Sequence, residues 1–463
     1  MKHSSKLLLI TLTAMLTLTG FGCKQGDLGA IKELRTQVKL SWWGVFDDTE
    51  MVKGIIQDYQ ALHPNVTIEY RKLRFDEYEQ ALLEGWAGGQ GPDLFFVHNS
   101  WVGKYLPWIS PMPATLDLPV LVDPSQGVEK GTAVYRKTAT LTAQKLKDDF
   151  LEAVYQDAYR NGQIVGLPLS VDTLALFYNR DLLNQAKIIA PPKTWTEVKD
   201  AVIKLTVQDS DGAILQSGIN LGGSNNINRA TDIVSLLMLQ TGTKMADPSG
   251  RAIFNEYLHL EDGQRFSPGG DAIRFYADFG KPAKEVYTWS KALPEAQNLF
   301  TSGRLGLFLG YSYQLPFIRA QGQTIDLGLA PVPHLNSDGT DAGRREVNFA
   351  NYWLATVAKQ APAEKIKWAW DVILFITGKD EVAKYLETAR RPPALRALIP
   401  QYANDAELGP FVNQLLTAKS WYRGSNPAAA ETAMREMIDT VVEGSKPIDD
   451  AVSFAIEKIN QTF

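Results

Sequence analysis

What most narrows the fold of this chain is a change of period, from two to 3.6 and back, over residues 38–97. Val38, Leu40 and Trp42 alternate with Lys39, Ser41 and Trp43 as the two faces of a strand. Gly44 ends it. Met51, Ile55, Tyr59 and Leu62 then recur at helical spacing until His63-Pro64-Asn65 stops the helix. Residues 66–70 alternate again, and a helix opening at Asp76 carries Tyr78, Leu82 and Trp86 on one face. After a turn at 88–92, residues 93–97 (Asp-Leu-Phe-Phe-Val) form a short apolar strand, as in a parallel sheet covered on both faces. Strands alternating with helices define an α/β layer, and such layers bind ligands at the carboxyl ends of their strands. Trp43 and Phe46 fall at such an end. Trp42 shares a face with Val38 and Leu40 and is expected in the core; Trp43 is open to both readings.

The pattern recurs downstream. Apolar strands are expected at 174–179, 305–310 and 326–331, and within 347–357. Helices are expected at 229–242, 272–279, 294–301, 366–377 and 381–389, with a helix ending at 155–160 and two more near the C-terminus. Thr194 with Glu197 reads as a capping box. The chain has 463 residues, 45% hydrophobic, enough for two or three compact units. Its net charge of −5 and the lack of a basic stripe argue against nucleic acid.

The N-terminus reads as a targeting segment. Lys2, His3 and Lys6 precede an apolar run at 7–18 that is too short to span a bilayer stably. The single cysteine, Cys23, follows Gly22 at its end and cannot form an internal disulfide. This resembles a bacterial lipoprotein signal, 1–22, whose cysteine carries lipid; residues 23–37 then read as a tether. The small residue before the cysteine is kept, whereas Gly20-Phe21 departs from the motif.

Catalytic signatures are lacking. The five histidines are scattered, and neither a nucleophile elbow nor a phosphate loop occurs. Asp209-Ser-Asp-Gly212 and Asn336-Ser-Asp-Gly339 lack the distal glutamate of a calcium loop and read as solvated turns. Nothing calls for a metal or cofactor.

Four ordered stretches carry a resemblance that spans nearly all of the mature chain. They are Leu40-Ser-Trp-Trp-Gly44 with His63-Pro-Asn-Val66; Gly91-Pro-Asp-Leu-Phe-Phe96; Gly166-Leu-Pro-Leu169 with 176–183 and 192–197; and 300–310 with Leu329-Ala-Pro-Val-Pro333. Together they resemble the extracellular solute-binding proteins of ABC importers, in the branch that includes maltose-binding proteins. Asn351-Tyr352 stands where relatives often carry glycines. The resemblance implies a two-lobe periplasmic-binding-protein fold of α/β class, type II-like, with a hinge and an interlobe cleft. Lobe one would be 38–167 plus 345–398, and lobe two 168–340 plus 399–463. It also implies a monomer anchored outside the membrane through Cys23, passing a small solute, a sugar, to an ABC permease without catalysis. A surface carbohydrate hydrolase and a binder of peptides or polyamines stay open as alternatives.

A sugar site wants rings for C–H faces and planar polar groups for hydroxyls. Trp43 and Phe46 are expected on one wall, with Tyr311 and Trp421 facing them. Asn99, after the strand at 93–97, and Asp172, beside the hinge, are expected to supply polar contacts. Asn225 follows a glycine run, Trp289 lies in a loop, Asn351 and Trp353 lie in the returning strand, and Arg391 precedes Pro392-Pro393. All five are candidate ligand contacts; Asp93, Trp195, Trp368 and Trp370 are expected to be structural.

Overall fold

The computed structural model describes residues 26–123, 125, 129–259, 265–336 and 344–463. The chain divides into two units, 1–37 with 117–138, and 38–116 with 139–463.

In the first unit Asp27 caps a helix, Leu28–Arg35, accepting from the backbone N–H of Gly29 at 2.7 Å and of Ala30 at 3.3 Å. Strands Thr115–Leu121 and Ala133–Ala139 pair as a hairpin. The Asp27 N–H donates to the Ala133 carbonyl at 2.8 Å, and the Tyr135 hydroxyl donates to Glu33 at 3.0 Å. Most of the stretch expected as a tether is therefore a capped helix with Ala30 buried. Cys23 and the signal segment lie outside the described residues.

The second unit is built on two five-stranded sheets. One runs Val66–Lys72, Val38–Gly44, Leu94–His98, Trp353–Val357, Leu167–Pro168. Its first three strands are parallel, and Trp353–Val357 returns antiparallel against Leu94–His98. The all-apolar Leu94–Val97 sits in the middle, where both faces are covered. The other sheet runs Val207–Gln208, Ile214–Ile219, Leu305–Gly310, Ala175–Asn179, Leu327–Pro331. A third, short ribbon orders Ala418–Lys419, Asn348–Asn351 and Asp172–Thr173. The chain passes between the two large sheets along Asp172–Thr173 and again along Asn348–Asn351. These neighbours are antiparallel, with Ala350 opposite Thr173 and Asn351 opposite Asp172. Beside them Ser170 bridges to Pro393.

Helices cover both sheets. Trp368 and Trp370 on Ala363–Ile376 are fully buried, as is Trp42 on the strand beneath. Trp195–Leu205 starts at the expected capping box: Thr194 Oγ1 accepts from the Glu197 N–H at 3.2 Å, and Glu197 accepts from the Thr194 N–H at 3.3 Å. Ala230–Gln240 is buried almost throughout. Among the described residues no helix is long and apolar enough to cross a membrane.

Candidate functional site

A cavity of about 580 Å³ opens between the two large sheets, beside the crossing ribbon. That size is usual for small-molecule sites, which span about 300–1,000 Å³. Phe46 lines it just past the strand Val38–Gly44, with 42% of its surface exposed. Its ring stacks on Tyr313 (centroids 5.9 Å, planes 26° apart) and on Phe75 (6.1 Å, 21°), and meets the edge of Trp353 at 5.6 Å. Phe46 follows a strand of one sheet and Tyr313 follows Leu305–Gly310 of the other, so this stack joins the two sides of the cavity.

The polar groups form a chain. His98 ends its strand, and its Nδ1 accepts from the Ser100 N–H at 3.3 Å. Its Nε2 lies 3.2 Å from Asn351 Oδ1, and Asn351 Nδ2 donates to Asp232 at 3.4 Å. Asp232 is a carboxylate that only accepts, so the orientation of the Asn351 amide follows, and His98 donates through Nε2. Burial, then the charge of Arg229, pushes His98 down to about 3, partly offset by its bond to Asn351. The ring is therefore neutral. Asp232 also accepts from Arg229 Nε at 2.7 Å and Nη2 at 2.9 Å, and from the Tyr311 hydroxyl at 2.7 Å. Burial works against the Arg229 charge, but Asp232, together with Tyr311, Tyr313 and Glu431 behind it, outweighs burial and the guanidinium is held above its ordinary range. Arg229 adopts φ +64°, in the left-handed region where a non-glycine residue is strained.

A second polar group lies at the ribbon. Asp172 Oδ2 accepts from Ser312 Oγ at 2.7 Å and from the Tyr313 N–H at 3.2 Å. Asp47 accepts from the Tyr385 hydroxyl at 3.0 Å. Burial holds both carboxyls above their ordinary range, offset only in part by the Arg391 charge at Asp47 and by the Ser312 hydrogen bond, then Arg391, at Asp172. Arg391 has no hydrogen bond or ion pair of its own among the described residues, which leaves its planar fork of donors free. Trp421 is tied by Nε1 to Ser235 Oγ at 3.1 Å.

Of the residues expected to contact ligand, Phe46, Asn99 and Asp172 line the cavity, as do Asn351, Trp353, Arg391 and Trp421. Four do not. Trp43 is 6% exposed and packs beneath the helix Phe75–Ala87, where a Cβ on Gly85 would stand 2.9 Å from its ring; Arg71 covers it at 4.9 Å. Its side chain takes the face opposite Trp42, and helix packing claims that face as well. Trp289 is wholly buried against Gly223 and donates to Asn226 Oδ1 at 2.9 Å. Tyr311 is wholly buried behind Tyr313, with ring centroids 5.7 Å apart, and reaches the cavity through Tyr313 and Asp232. Asn225 is exposed outside the lining. Asp93 and Trp195 are structural as expected: Asp93 accepts from the Ser41 N–H at 2.9 Å, and Trp195 donates to Gln240 at 2.6 Å.

Sequence reasoning missed Asp47, Phe75, Trp101, Arg229, Asp232 and Tyr313, which all line the cavity. Asp47 and Tyr313 carried a signal, since they lie one and two residues beyond named candidates. Arg229 and Asp232 carried one only as charges at the mouth of an apolar helix.

A cavity of rings and planar polar groups between two open α/β sheets belongs to a protein that encloses a small polar solute. Residues 54–410 match the family of bacterial extracellular solute-binding proteins, and the chain belongs to that family. It is 21% identical over 417 residues to a maltotriose-binding protein of Pyrococcus abyssi, covering 87% of this chain and 77% of that one. The fold is similar to that of the cyclic α-maltosyl-1,6-maltose binding protein of Arthrobacter globiformis (TM-score 0.69, 18% identity, 92% of this chain and 99% of that one). It is also similar to an ABC transporter solute-binding protein of Thermotoga lettingae bound with α-D-tagatose (TM-score 0.66, 18% identity, 92% and 100% covered). The two-lobe periplasmic-binding-protein fold is thus the fold of this chain.

Proposed function

We propose that the chain captures a carbohydrate outside the cell and delivers it to an ABC importer, without turning it over. The observation that carries this reading is the cavity lining. Phe46, Trp353 and Tyr313 offer faces for sugar C–H groups, while Arg391, Asp47 and Asn99 offer planar donors and acceptors for hydroxyls. The relatives named above support it by what they bind. Two of the cavity carboxyls, Asp172 and Asp232, favour binding over hydrolysis, because each is held as an acceptor by several neighbours. A general acid needs a proton to give.

On this reading the lobes are 38–167 with 345–398 and 168–340 with 399–463, and the solute shifts their hinge equilibrium by touching both. The chain acts as a monomer, tied to the membrane by lipid on Cys23 and docking on a permease. A thermal-shift screen of the mature protein tests the substrate class, with maltose, maltotriose, trehalose and tagatose set against peptides and polyamines. A saccharide at a hundred times its Kd stabilises by about 2.7 kcal/mol. Shifts with peptides or polyamines alone refute the carbohydrate reading, and saccharide cleavage detected by chromatography refutes the absence of turnover. Cys23→Ala should release the protein from membranes; retention would refute the anchor.

A further inference from the structure

We infer that Asp157, behind the cavity wall, turns two hydroxyls of that wall, those of Tyr352 and Ser420, into hydrogen-bond acceptors, so that the solute must lay hydroxyl or amino donors against them. The inference rests on the cavity being the solute site. Asp157 is 1% exposed, on the helix Glu152–Ala158, and does not itself line the cavity. Asn99, Tyr352 and Ser420 do line it. They come from three separate segments: the end of the strand Leu94–His98, the joint between Asn348–Asn351 and Trp353–Val357, and the residue after Ala418–Lys419.

All three donate to the same oxygen of Asp157: Ser420 Oγ at 2.6 Å, the Tyr352 hydroxyl at 2.7 Å and Asn99 Nδ2 at 3.3 Å. The Arg423 guanidinium stands 3.1 Å from the other oxygen and balances its charge. A carboxylate can only accept, and a hydroxyl has one hydrogen to give. The hydrogens of Ser420 and Tyr352 are therefore committed to Asp157. Tyr352 also lies 3.0 Å from the Ala153 carbonyl, another acceptor, so its hydrogen is committed either way. The Asn99 amide must turn its NH2 to Asp157. Its Oδ1 is left buried, with no partner among the described residues, a cost that a donor from the solute would offset.

What remains to the Tyr352 and Ser420 hydroxyls is lone pairs; Asn99 keeps the lone pairs of its Oδ1 and the second hydrogen of its amide. A sugar hydroxyl or an amino group can donate to them, whereas an ether oxygen, carboxylate, phosphate or fluorine brings only further lone pairs. Asp157 is thus a positioning residue, acting on the solute through Asn99, Tyr352 and Ser420.

The test is calorimetric titration of the mature protein with maltose and with its mono-deoxyfluoro analogues, in which one hydroxyl at a time loses its ability to donate. At least one analogue should bind at least tenfold more weakly than maltose. In Asp157→Asn, which keeps the shape but supplies hydrogens, the hydroxyls of Ser420 and Tyr352 can turn. Maltose should weaken about tenfold while the penalty for that analogue shrinks to threefold or less. A structural role alone would weaken maltose and analogue equally, and an unchanged ratio overturns the assignment. Ser420→Ala and Tyr352→Phe leave the Asp157–Arg423 pair in place and give the same readout should Asp157→Asn not fold. Each should reduce the penalty at the hydroxyl it faces at least threefold, and unchanged penalties in both overturn the assignment. Maltose binding with a flat fluorine profile sinks this inference alone; failure of every saccharide to bind sinks the carbohydrate reading and this inference with it.

Discussion

Asp232→Asn removes the charge on which the polar chain of the cavity converges. Asp232 is 5% exposed and accepts from Arg229 at 2.7 and 2.9 Å, from Tyr311 at 2.7 Å and from Asn351 at 3.4 Å. Removing one partner of a buried pair costs about 3–5 kcal/mol because the other charge is left uncompensated. The Arg229 side chain keeps 24% exposure, so water screens part of that loss and the lower end, about 3 kcal/mol, applies. The Tyr311 hydroxyl still finds the amide oxygen, so it adds no further loss. Arg229→Gln should cost about 2 kcal/mol, since the stranded Asp232 keeps Tyr311 and Asn351. The double variant leaves no buried charge and should lose only about 2–3 kcal/mol, so the coupling is about 2–3 kcal/mol. Urea unfolding followed by tryptophan fluorescence measures all three. If the double variant loses the sum of the single ones, about 5 kcal/mol, the pair is not coupled and the reasoning fails. Arg229→Gly adds an internal control, because it relieves the strain at φ +64° and should be about 1 kcal/mol more stable than Arg229→Gln.

Trp289→Ala should lower unfolding stability by about 4 kcal/mol through the cavity it leaves, with saccharide affinity changed less than twofold; lost affinity at intact stability would return the ring to the site. Phe46→Ala should change stability by less than about 1 kcal/mol, since the ring is 42% exposed, but weaken saccharide binding by about 1 kcal/mol; unchanged affinity would mean that the Phe46–Tyr313 stack faces no solute. His98, held down to about 3, gives a pH prediction. Between pH 6.5 and 3 the unfolded chain takes a proton that the folded chain refuses, so this group's contribution is lost as pH falls. It should amount to about 2 kcal/mol by pH 5. His98→Gln should flatten that part of the urea-midpoint profile, and an identical slope would refute the assignment.

The strands and the helix faces of the second unit were legible because period and apolar content agree there; residues 38–44 and 305–310 fall where the pattern puts them, and two helices, Pro427–Glu443 and Ile448–Asn460, lie near the C-terminus as expected. The helix expected through 155–160 instead ends at Ala158. Asn161 and Gly162, both at positive φ, turn Tyr159–Arg160 back onto Gln163–Ile164 as a hairpin. That dipeptide was a readable turn signal overruled by helical spacing. The site was legible where a residue follows a strand directly, as Phe46 and Asn99 do. It was not legible where depth decides. Tyr311 and Tyr313 are equally aromatic at the same strand end, and only packing puts one behind the other. Trp43 was ambiguous because a strand of a covered sheet buries both its faces, so alternation does not point to solvent.

The crossing ribbon gives the cavity a lever arm. Asp172 and Asn351 face each other across the antiparallel ladder where the chain passes between the sheets, close to any axis about which the lobes would swing. Tyr313 gives its backbone N–H to Asp172 and stays with the pivot, while Phe46 hangs beyond the end of the strand Val38–Gly44 on the other side. A solute entering an open cleft would meet Asp172, Asn351 and Tyr313 in nearly final geometry at every angle, and the Phe46 ring only at the end of the stroke. Losses at Asp172 or Asn351 would thus appear in the rate of capture as well as release, while a loss at Phe46 would appear in residence time alone.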